Sequence, residues 1–421
     1  MPEKSFADHL KCVVCGKTYT LDEVSYICPD HGTEGILDVQ YDYSKINKSF
    51  SKKDLQTNKD FSIWRYKALL PVDPTAQVPL LSVGWTPLYD AERIAKQLDL
   101  KKVSIKDDGR QPTGSFKDRA SAIAILKAQE QKAEIITTAS TGNAAAALSG
   151  LCASIQQKNV IFVPKSAPPA KIAQLLTYGS KVVLVEGTYD DAFELCMAAA
   201  NEYGWYNRNT GYNPFMTEGK KTAAFEICEQ LNWEVPDRIF VSVGDGCIIG
   251  GIHKGLKDLK ALGWIDHIPK LMGIQAEGSS YLYQAWKNNE DLLAKAPITA
   301  TTIADSISAG LPRDRIKAMA AITETDGMFI SVSDEEILTA VIELARGCGV
   351  FSEPAAAAAY AGLKKAINEN IIAKEEHATL MITGNGLKDV QSAMTAVKNA
   401  GSAAITTKPD LESFKEQISQ W

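Results

Sequence analysis

The chain has 421 residues, of which 45% are hydrophobic and 23% are charged, and this balance excludes a largely disordered or fibrous protein. At about 150 residues per domain, the length predicts two or three domains. The formal net charge of −6 gives no electrostatic reason to bind nucleic acid or an anionic membrane.

The sequence also gives an expectation for the cellular location of the protein. No stretch approaches the roughly 18–20 apolar residues of a membrane span, and the first residues lack the apolar core of a secretory signal. The 8 cysteines are too few for a disulfide scaffold at this length. We therefore expect a cytoplasmic protein that binds neither nucleic acid nor membranes.

The first 45 residues are rich in turn residues and carry two pairs of potential metal ligands. Cys12 and Cys15 form one pair, and Cys28 and His31 form a second pair with the same internal spacing. Three thiolates and one imidazole suit tetrahedral zinc, and a closed set of four ligands leaves no open position for catalysis. We predict one structural zinc here, with His9 as an alternative fourth ligand. A metal-free knuckle that packs on the domain is the alternative.

The rest of the chain alternates between two patterns. After a polar stretch at 44–60, typical of a linker or an exposed helix, short apolar runs alternate with helical segments. The predicted strands are 102–106, 134–140, 159–164, 181–186, 238–244, 270–278 and 378–384. The predicted helices include 115–129, 143–156, 170–179, 190–204 and 334–349. This alternation predicts an α/β fold with parallel sheets covered by helices, in which ligands bind beyond the carboxyl ends of the strands.

The loop at 111–119 opens a predicted helix and places a lysine where a cation is unfavourable. Ser115 is predicted to cap this helix. Lys117 then falls in the first turn, where the helix dipole opposes positive charge. A lysine in that position indicates an amine used as a nucleophile or a base. The alternative is an exposed lysine paired with Asp118.

Three further loops follow predicted strands. Residues 138–144 run into an alanine-rich helix, whose free N–H groups suit a carboxylate. The glycine turn at 243–251 fits neither the dinucleotide spacing nor the nucleotide-triphosphate loop, but it has the general form of a phosphate cradle. Thr383 ends the last predicted strand, where its hydroxyl is expected to face a cleft. The first two loops, each taken alone, also fit an ordinary strand-to-helix turn.

Together, an amine, a carboxylate-binding loop, a phosphate cradle and a lone hydroxyl are the parts of a pyridoxal phosphate (PLP) site. The motifs PTGSFKDR, STGN, the glycine turn and TGNGLKD, in this order, resemble threonine synthases within the fold-type-II PLP-dependent enzymes. The resemblance runs from about Gly84 to Asp389. It implies a fold like the tryptophan synthase β subunit, with two parallel-sheet domains and an N-terminal zinc-ribbon-like segment. The expected ranges are 1–45 for the ribbon-like segment, 46–130 and 206–421 for the large PLP-binding domain, and 131–205 for the small domain.

The resemblance also implies a role for each motif. Lys117 matches the lysine that forms a Schiff base with PLP and then shuttles protons. Asn143 matches the asparagine that bonds the ring hydroxyl, and Thr383 the hydroxyl beside the pyridine nitrogen. The other implied cofactor contacts are Gly244, Asp245, Gly246, Cys247 and Ile248. The implied substrate contacts are Ser140, Thr141, Gly142 and Asn143.

The implied reaction converts O-phosphohomoserine and water to L-threonine and phosphate in a homodimeric enzyme with a small amino-acid substrate. Two departures from the family pattern bear on it. Asp245 is unfavourable beside a phosphate unless its side chain turns away. Ala144 and Met216 stand where the family has a threonine and an arginine that bind the substrate phosphate, and methionine cannot replace an arginine–phosphate contact.

Another cation must then reach the phosphate, or the substrate carries a different leaving group. The candidate cations are Lys220, Lys221, Arg208 and Arg313. The alternative functions are a serine/threonine dehydratase, a β-replacement enzyme on the same fold, and a non-catalytic relative that binds through its zinc knuckle.

Overall fold

The structure is a computed structural model that describes residues 5–140, 142–167 and 169–418. Its strands are β1 (Ala7–Cys12), β2 (Thr18–Tyr19), β3 (Leu37–Tyr41), β4 (Leu88–Asp90), β5 (Lys102–Asp107), β6 (Ile135–Ala139), β7 (Lys158–Pro164), β8 (Lys181–Val185), β9 (Tyr206–Asn207), β10 (Arg238–Ser242), β11 (Lys270–Ala276), β12 (Met328–Val332) and β13 (His377–Ile382).

The helices lie mostly between these strands. They are α1 (Tyr43–Ser49), α2 (Lys52–Thr57), α3 (Glu92–Gln97), α4 (Lys117–Glu130), α5 (Asn143–Ser154), α6 (Pro169–Thr177), α7 (Tyr189–Tyr203), α8 (Phe215–Lys220), α9 (Thr222–Gln230), α10 (Cys247–Ala261), α11 (Tyr281–Asn288), α12 (Arg315–Thr323), α13 (Asp334–Cys348), α14 (Pro354–Asn368), α15 (Val390–Asn399) and α16 (Leu411–Ile418). No helix in the described ranges has the length and apolar character needed to cross a membrane.

Two sheets form the body of the molecule. The large sheet has six strands in the order β12-β11-β10-β13-β5-β4, and only the edge strand β4 is antiparallel to its neighbour. The small sheet has four parallel strands in the order β8-β7-β6-β9. The predicted α/β fold with parallel sheets is confirmed. The last strand of the small sheet, β9, lies just beyond the expected domain boundary at residue 205.

Helices cover both faces of the large sheet. Because successive side chains of each strand point to opposite sides, each strand contributes to two apolar cores. On β10, Ile239 and Val241 pack with α9 and α10, whereas Phe240 packs with α13 and α14. The start of α14 is a run of buried alanines, 355–359, which lets this helix lie close to the sheet. Helices on both faces thus leave the strand ends as the open edge of the sheet.

The N-terminal segment forms a three-stranded antiparallel sheet in the order β2-β1-β3. It packs against the large-sheet side of the molecule, where β3 contacts α8. The polar stretch at 44–60 forms α1 and α2, so the exposed-helix interpretation of that stretch is correct. Asp42 caps α1 by accepting a hydrogen bond from the Lys45 amide.

Candidate active site

The chemistry-bearing loops lie at the carboxyl ends of β5, β6, β10 and β13. Lys117 begins α4 and Thr383 directly follows β13, the strand next to β5. Two backbone hydrogen bonds hold their loops together. The Phe116 amide donates to the Thr383 carbonyl at 2.9 Å and the Asn385 amide donates to the Gly114 carbonyl at 3.0 Å, so that Ser115 and Gly384 form an antiparallel bridge. Thr383 and the lysine therefore share one rim of the cleft.

The prediction that Ser115 caps α4 is wrong. Phe116 precedes the helix in helical conformation, and the Ser115 hydroxyl is buried without a hydrogen-bond partner. The bridge to Gly384 fixes Ser115 in extended pairing, which turns its side chain away from the cap position. Ser115, the predicted cap, instead joins the loop of Lys117 to the segment that follows β13.

Lys117 is half-buried and takes part in no ion pair within the described residues. Asp118 accepts hydrogen bonds from the amide and hydroxyl of Thr113 at 2.8 and 2.5 Å, so the alternative of a lysine paired with Asp118 is wrong. Burial lowers the pKa of Lys117, and the nearby charge of Arg208 lowers it further, against the opposing charge of Glu353. The amine is therefore neutral at a lower pH than an ordinary lysine, as a nucleophile or base requires.

Asn143 begins α5 on the opposite side of the cleft. Its amide nitrogen donates to both carboxylate oxygens of Glu353, at 2.9 and 3.1 Å, and to the Ser306 hydroxyl at 3.2 Å. The Glu353 amide in turn donates to the Gly384 carbonyl at 3.1 Å. These contacts connect the Asn143 loop with the Thr383 loop across a cleft that Lys388 also lines. Burial raises the pKa of Glu353.

Sequence reasoning missed Glu353 and Ser306. A signal for Glu353 exists, since an acidic residue directly before the proline of an alanine-rich helix leaves a carboxylate at a buried helix start. Nothing in the sequence around Ser306 distinguishes it from other loop serines.

The segment before Asn143 offers backbone donors. The Ser140 hydroxyl accepts a hydrogen bond from the Gly142 amide at 3.2 Å, while Thr141 lies outside the described residues. A Cβ atom at Gly142 would meet nothing within 4 Å, so space is open beside this turn. The first amides of α5 have no partner inside the helix, and together with the helix dipole they suit a carboxylate.

The glycine turn after β10 is tightly enclosed. A Cβ atom at Gly244 would lie 2.7 Å from the Ile307 Cα, and one at Gly246 would lie 2.7 Å from the Ala318 Cβ. Gly246 also has φ +89°, a left-handed conformation that favours glycine. The Asp245 carboxylate accepts a hydrogen bond from the Arg313 amide at 3.2 Å.

The next two residues, Cys247 and Ile248, start α10 and present their amides at its N-terminus. Burial raises the pKa of Cys247, so its side chain is a protonated thiol and its backbone N–H is the polar group it offers.

The structure separates the residues considered for the substrate phosphate into those that offer no free charge and those that are buried cations without an ion pair. Met216 is 1% exposed and packs in the apolar core, and Ala144 is half-buried, so neither position supplies a charge. Lys221 is ion-paired with Glu218 and Asp258, and Arg313 with Asp190. Arg208 and Lys220 are also buried, but they form no ion pair within the described residues.

The cysteine pairs converge at the base of the N-terminal sheet. The ligand atoms of Cys12, Cys15, Cys28 and His31 all lie within 4.8 Å of one another. The Sγ atoms of Cys15 and Cys28 are 4.0 Å apart, and Cys28 Sγ lies 3.6 Å from His31 Nδ1. Tetrahedral zinc with bonds of about 2.3 Å requires sulfur atoms about 3.8 Å apart, which is close to this spacing. The ring of His9 instead contacts Asp8.

Comparison with known proteins shows the family of this chain. Residues 80–384 match the family model described as pyridoxal-phosphate dependent enzyme. The chain is 41% identical over 389 residues to the threonine synthase of Methanocaldococcus jannaschii, covering 92% of this chain and 94% of the relative. It is 40% identical over 385 residues to that of Methanosarcina acetivorans, covering 91% and 93%.

Among solved structures, the processed form of threonine deaminase isoform 2 from Solanum lycopersicum superposes with a TM-score of 0.64 at 21% identity. The match covers 75% of this chain and 83% of that structure and shows a shared fold. The family match and the identities to both synthases carry the assignment further: this chain belongs to the threonine synthase family of PLP-dependent enzymes.

Proposed function

We propose that the protein converts O-phosphohomoserine and water to L-threonine and phosphate. The observation that carries the proposal is the Lys117 amine, which is half-buried and has no carboxylate partner in the described structure. It lies on the rim that Thr383 shares, opposite Asn143. The identity to threonine synthases over nine-tenths of the chain supports this reaction over others on the same fold.

The residues present fit PLP. Gly244 and Gly246 let the turn pack tightly against Ile307 and Ala318, and the N-terminus of α10 adds amide donors and the positive end of its dipole for a phosphate. We propose that residues 244–248 hold the cofactor phosphate, that the Asn143 side-chain amide forms a hydrogen bond with the ring hydroxyl, and that Thr383 faces the pyridine nitrogen. A threonine there cannot protonate the ring as a carboxylate would.

The remaining roles follow from the geometry of the chain. The reaction breaks the bond between the γ-carbon and the phosphate oxygen, joins a water oxygen to the β-carbon and leaves the γ-carbon as a methyl group. PLP supplies the electron sink when it is bound. Lys117 is the base that takes protons from the α- and β-carbons; one proton returns to the α-carbon, and one goes to the γ-carbon, which becomes the methyl group. Ser140, Thr141, Gly142 and the first amides of α5 hold the substrate carboxylate and so orient the α-carbon toward the amine.

A side-by-side assay tests the reaction. The purified protein is given O-phosphohomoserine, serine, threonine and O-phosphoserine, and phosphate, 2-oxo acid and amino-acid products are measured as kcat/KM. Equal amounts of threonine and phosphate from O-phosphohomoserine, with little 2-oxo acid from the others, are expected. Rapid deamination of serine or threonine without turnover of O-phosphohomoserine would instead identify a dehydratase.

The role of Lys117 has its own test. Lys117→Ala should abolish turnover and the borohydride-reducible linkage between PLP and the protein. Lys388→Ala is the matched control, because Lys388 lines the same cleft and should leave the linkage intact. A reducible linkage that survives in Lys117→Ala would show that another lysine carries it.

We also propose that Cys12, Cys15, Cys28 and His31 hold one structural zinc. The support is the spacing of the four ligand atoms and the mixture of buried and exposed thiols around them. All four ligands would be protein atoms, which leaves no open position for substrate. The role of the metal is therefore to fix the fold of the N-terminal segment.

The ranges 1–45, 46–130 with 206–421, and 131–205 remain our proposed domain division. The homodimer and the cytoplasmic location are also proposals. The homodimer rests on analogy with other fold-type-II enzymes. The location is supported by the free thiols of the cysteine cluster, which must stay reduced to bind zinc. Light scattering of the purified holoenzyme measures its mass and so tests the dimer.

A further inference from the structure

Lys220 is an uncompensated charge beside the glycine turn. Its side chain is 0% exposed, and its Nζ atom has no hydrogen-bond partner among the residues that the structure describes. It ends α8, which packs directly on the first turns of α10, since a Cβ atom at Gly251 would lie 2.6 Å from the Lys220 Cβ. The residue thus lies next to the helix whose N-terminus forms the phosphate cradle.

Other fully buried lysines of this molecule are paired. Lys106 lies 2.6 Å from a Glu226 oxygen, and Lys221 lies 2.7 Å from an Asp258 oxygen. The chain therefore supplies a carboxylate where a lysine charge is buried for structure alone. Lys220 has no such carboxylate partner within the described residues.

Arg208, which donates to the Lys117 carbonyl, is likewise buried without a carboxylate partner among the described residues. It is 1% exposed and donates to the Ser121 hydroxyl at 3.1 Å, the Thr210 hydroxyl at 2.8 Å and the Lys117 carbonyl at 3.4 Å, all of them neutral acceptors. Burial, together with the charges of Arg208 and Lys117, lowers the pKa of Lys220 to about 8. Lys220 and Arg208 are therefore two buried cations without a carboxylate partner among the described residues.

A buried cation is costly unless an anion compensates it. The carboxyl group that raises the pKa of Lys220 is Asp314. Its Oδ1 atom also has no hydrogen-bond partner in the described part of the chain. Burial raises the pKa of Asp314, so this group resists the charge that would compensate Lys220. The region is built to receive negative charge from a ligand.

We propose that Lys220 makes a charged contact with a phosphate monoester bound beside the glycine turn. Lys220 follows Met216 by one helical turn of α8, so it restores, from the same helix, a cation that Met216 lacks. The phosphate belongs either to PLP or to the substrate, and the inference rests on the proposed function for the second source only.

The experiment uses Lys220→Met, which keeps the length and removes the charge, and Lys220→Arg, which keeps the charge. Lys257→Met is the control, because Lys257 is exposed on α10, the helix that follows the glycine turn, and pairs with Glu324 at the surface. The first measurement is the dissociation constant of the apoprotein for PLP and for pyridoxal, which lacks the phosphate. The second is the dissociation constant of the PLP-loaded protein for inorganic phosphate, with the KM for O-phosphohomoserine beside it.

A charge-assisted contact of this kind predicts a loss of about tenfold to a hundredfold in Lys220→Met. Weaker PLP binding with unchanged pyridoxal binding assigns the contact to the cofactor. Weaker binding of inorganic phosphate with unchanged PLP binding assigns it to the substrate. Lys220→Arg should recover most of the loss, and Lys257→Met should show none.

Two results would overturn the proposal. One is an unchanged dissociation constant in both measurements. The other is an apoprotein of Lys220→Met that melts well below the wild type, because that would mean that Asp314 compensates the lysine internally. If the wild type fails to turn over O-phosphohomoserine, the proposed reaction falls, whereas both binding measurements still decide the role of Lys220.

Discussion

The side-chain amide of Asn143 donates to both carboxylate oxygens of Glu353, at 2.9 and 3.1 Å. Asn143 follows β6 of the small sheet, and Glu353 precedes α14, which packs on the large sheet. Both side chains are buried, so this contact is a charge-assisted hydrogen bond in a low-dielectric region. It fixes the asparagine that the proposed site directs at the cofactor ring.

The strength of this contact is measurable. A double-mutant cycle with Asn143→Ala and Glu353→Gln should give a coupling of about 1.5–3 kcal/mol in urea unfolding of the apoprotein. Asn143→Ala with Glu376→Gln is the control pair, because Glu376 pairs with Arg238 elsewhere on the sheet, and its effects should add. Additive effects in the Asn143–Glu353 cycle would show that the contact contributes nothing to stability.

The pH dependence of cofactor attachment follows from the environment of Lys117. Burial lowers its pKa from the ordinary 10.5, so the neutral, nucleophilic amine is present at lower pH than in a free lysine. The rate at which PLP attaches to the apoprotein, trapped with borohydride, should therefore rise with pH about a midpoint below 10.5.

The neighbouring charges set the direction of two shifts. Arg208 lowers the pKa of Lys117, so Arg208→Met should move the midpoint to higher pH. Glu353 raises the pKa, so Glu353→Gln should move the midpoint to lower pH. A wild-type midpoint at or above that of free lysine would contradict the assignment of Lys117.

The sequence alone predicts much of the fold because buried parallel strands read as short apolar runs. Each of the seven predicted strands is present, and so are the five predicted helices, within a few residues at their ends. β12 was not predicted, although the Asp326-Gly327 turn signal directly precedes its apolar run at 328–332. The short strands β4 and β9 carry too few residues for any periodicity.

The site is predictable where one motif carries one role, and less so where partners come from distant segments. The positions of Lys117 and Thr383 follow from strand ends that share one sheet edge. The Asn143–Glu353 contact joins residues 210 positions apart, which no local pattern reveals. The isolation of Lys220 is likewise visible only once its neighbours Gly251 and Asp314 are known.

We expect removal of the zinc to weaken PLP binding, because the N-terminal segment contacts the helix beside the glycine turn. Glu34 pairs with Arg315, and Asp38 lies 2.6 Å from the Lys317 amine. Both cations belong to α12, which closes over Gly246. Cys15→Ser changes the exposed thiol of the cluster and should abolish zinc binding and weaken PLP binding by roughly tenfold, equivalent to about 1.4 kcal/mol.

Metal analysis of the wild type should give one zinc per chain. Cys348→Ser is the matched control, because this half-buried thiol lies outside the cluster and should leave both zinc and PLP binding unchanged. Active wild-type protein without zinc would refute the metal site. An unchanged affinity for PLP after zinc loss would refute only its connection to the cofactor site.

The glycine turn offers a comparison of two substitutions that share a backbone strain and differ in their surroundings. Gly246 has φ +89° and Gly263 has φ +70°, so alanine at either position carries about 1–2 kcal/mol of left-handed strain. At Gly263 an added Cβ atom meets nothing within 4 Å, whereas at Gly246 it meets Ala318 Cβ at 2.7 Å and the Asp314 carbonyl at 2.9 Å. Gly246→Ala must therefore displace α12 or the turn itself, at a further cost of about 1–3 kcal/mol.

Because the turn presents the amides proposed for the phosphate, Gly246→Ala should also weaken PLP binding at least tenfold, while Gly263→Ala should leave it unchanged in a titration of the apoprotein. Equal PLP affinity in the two variants would mean that the phosphate binds elsewhere.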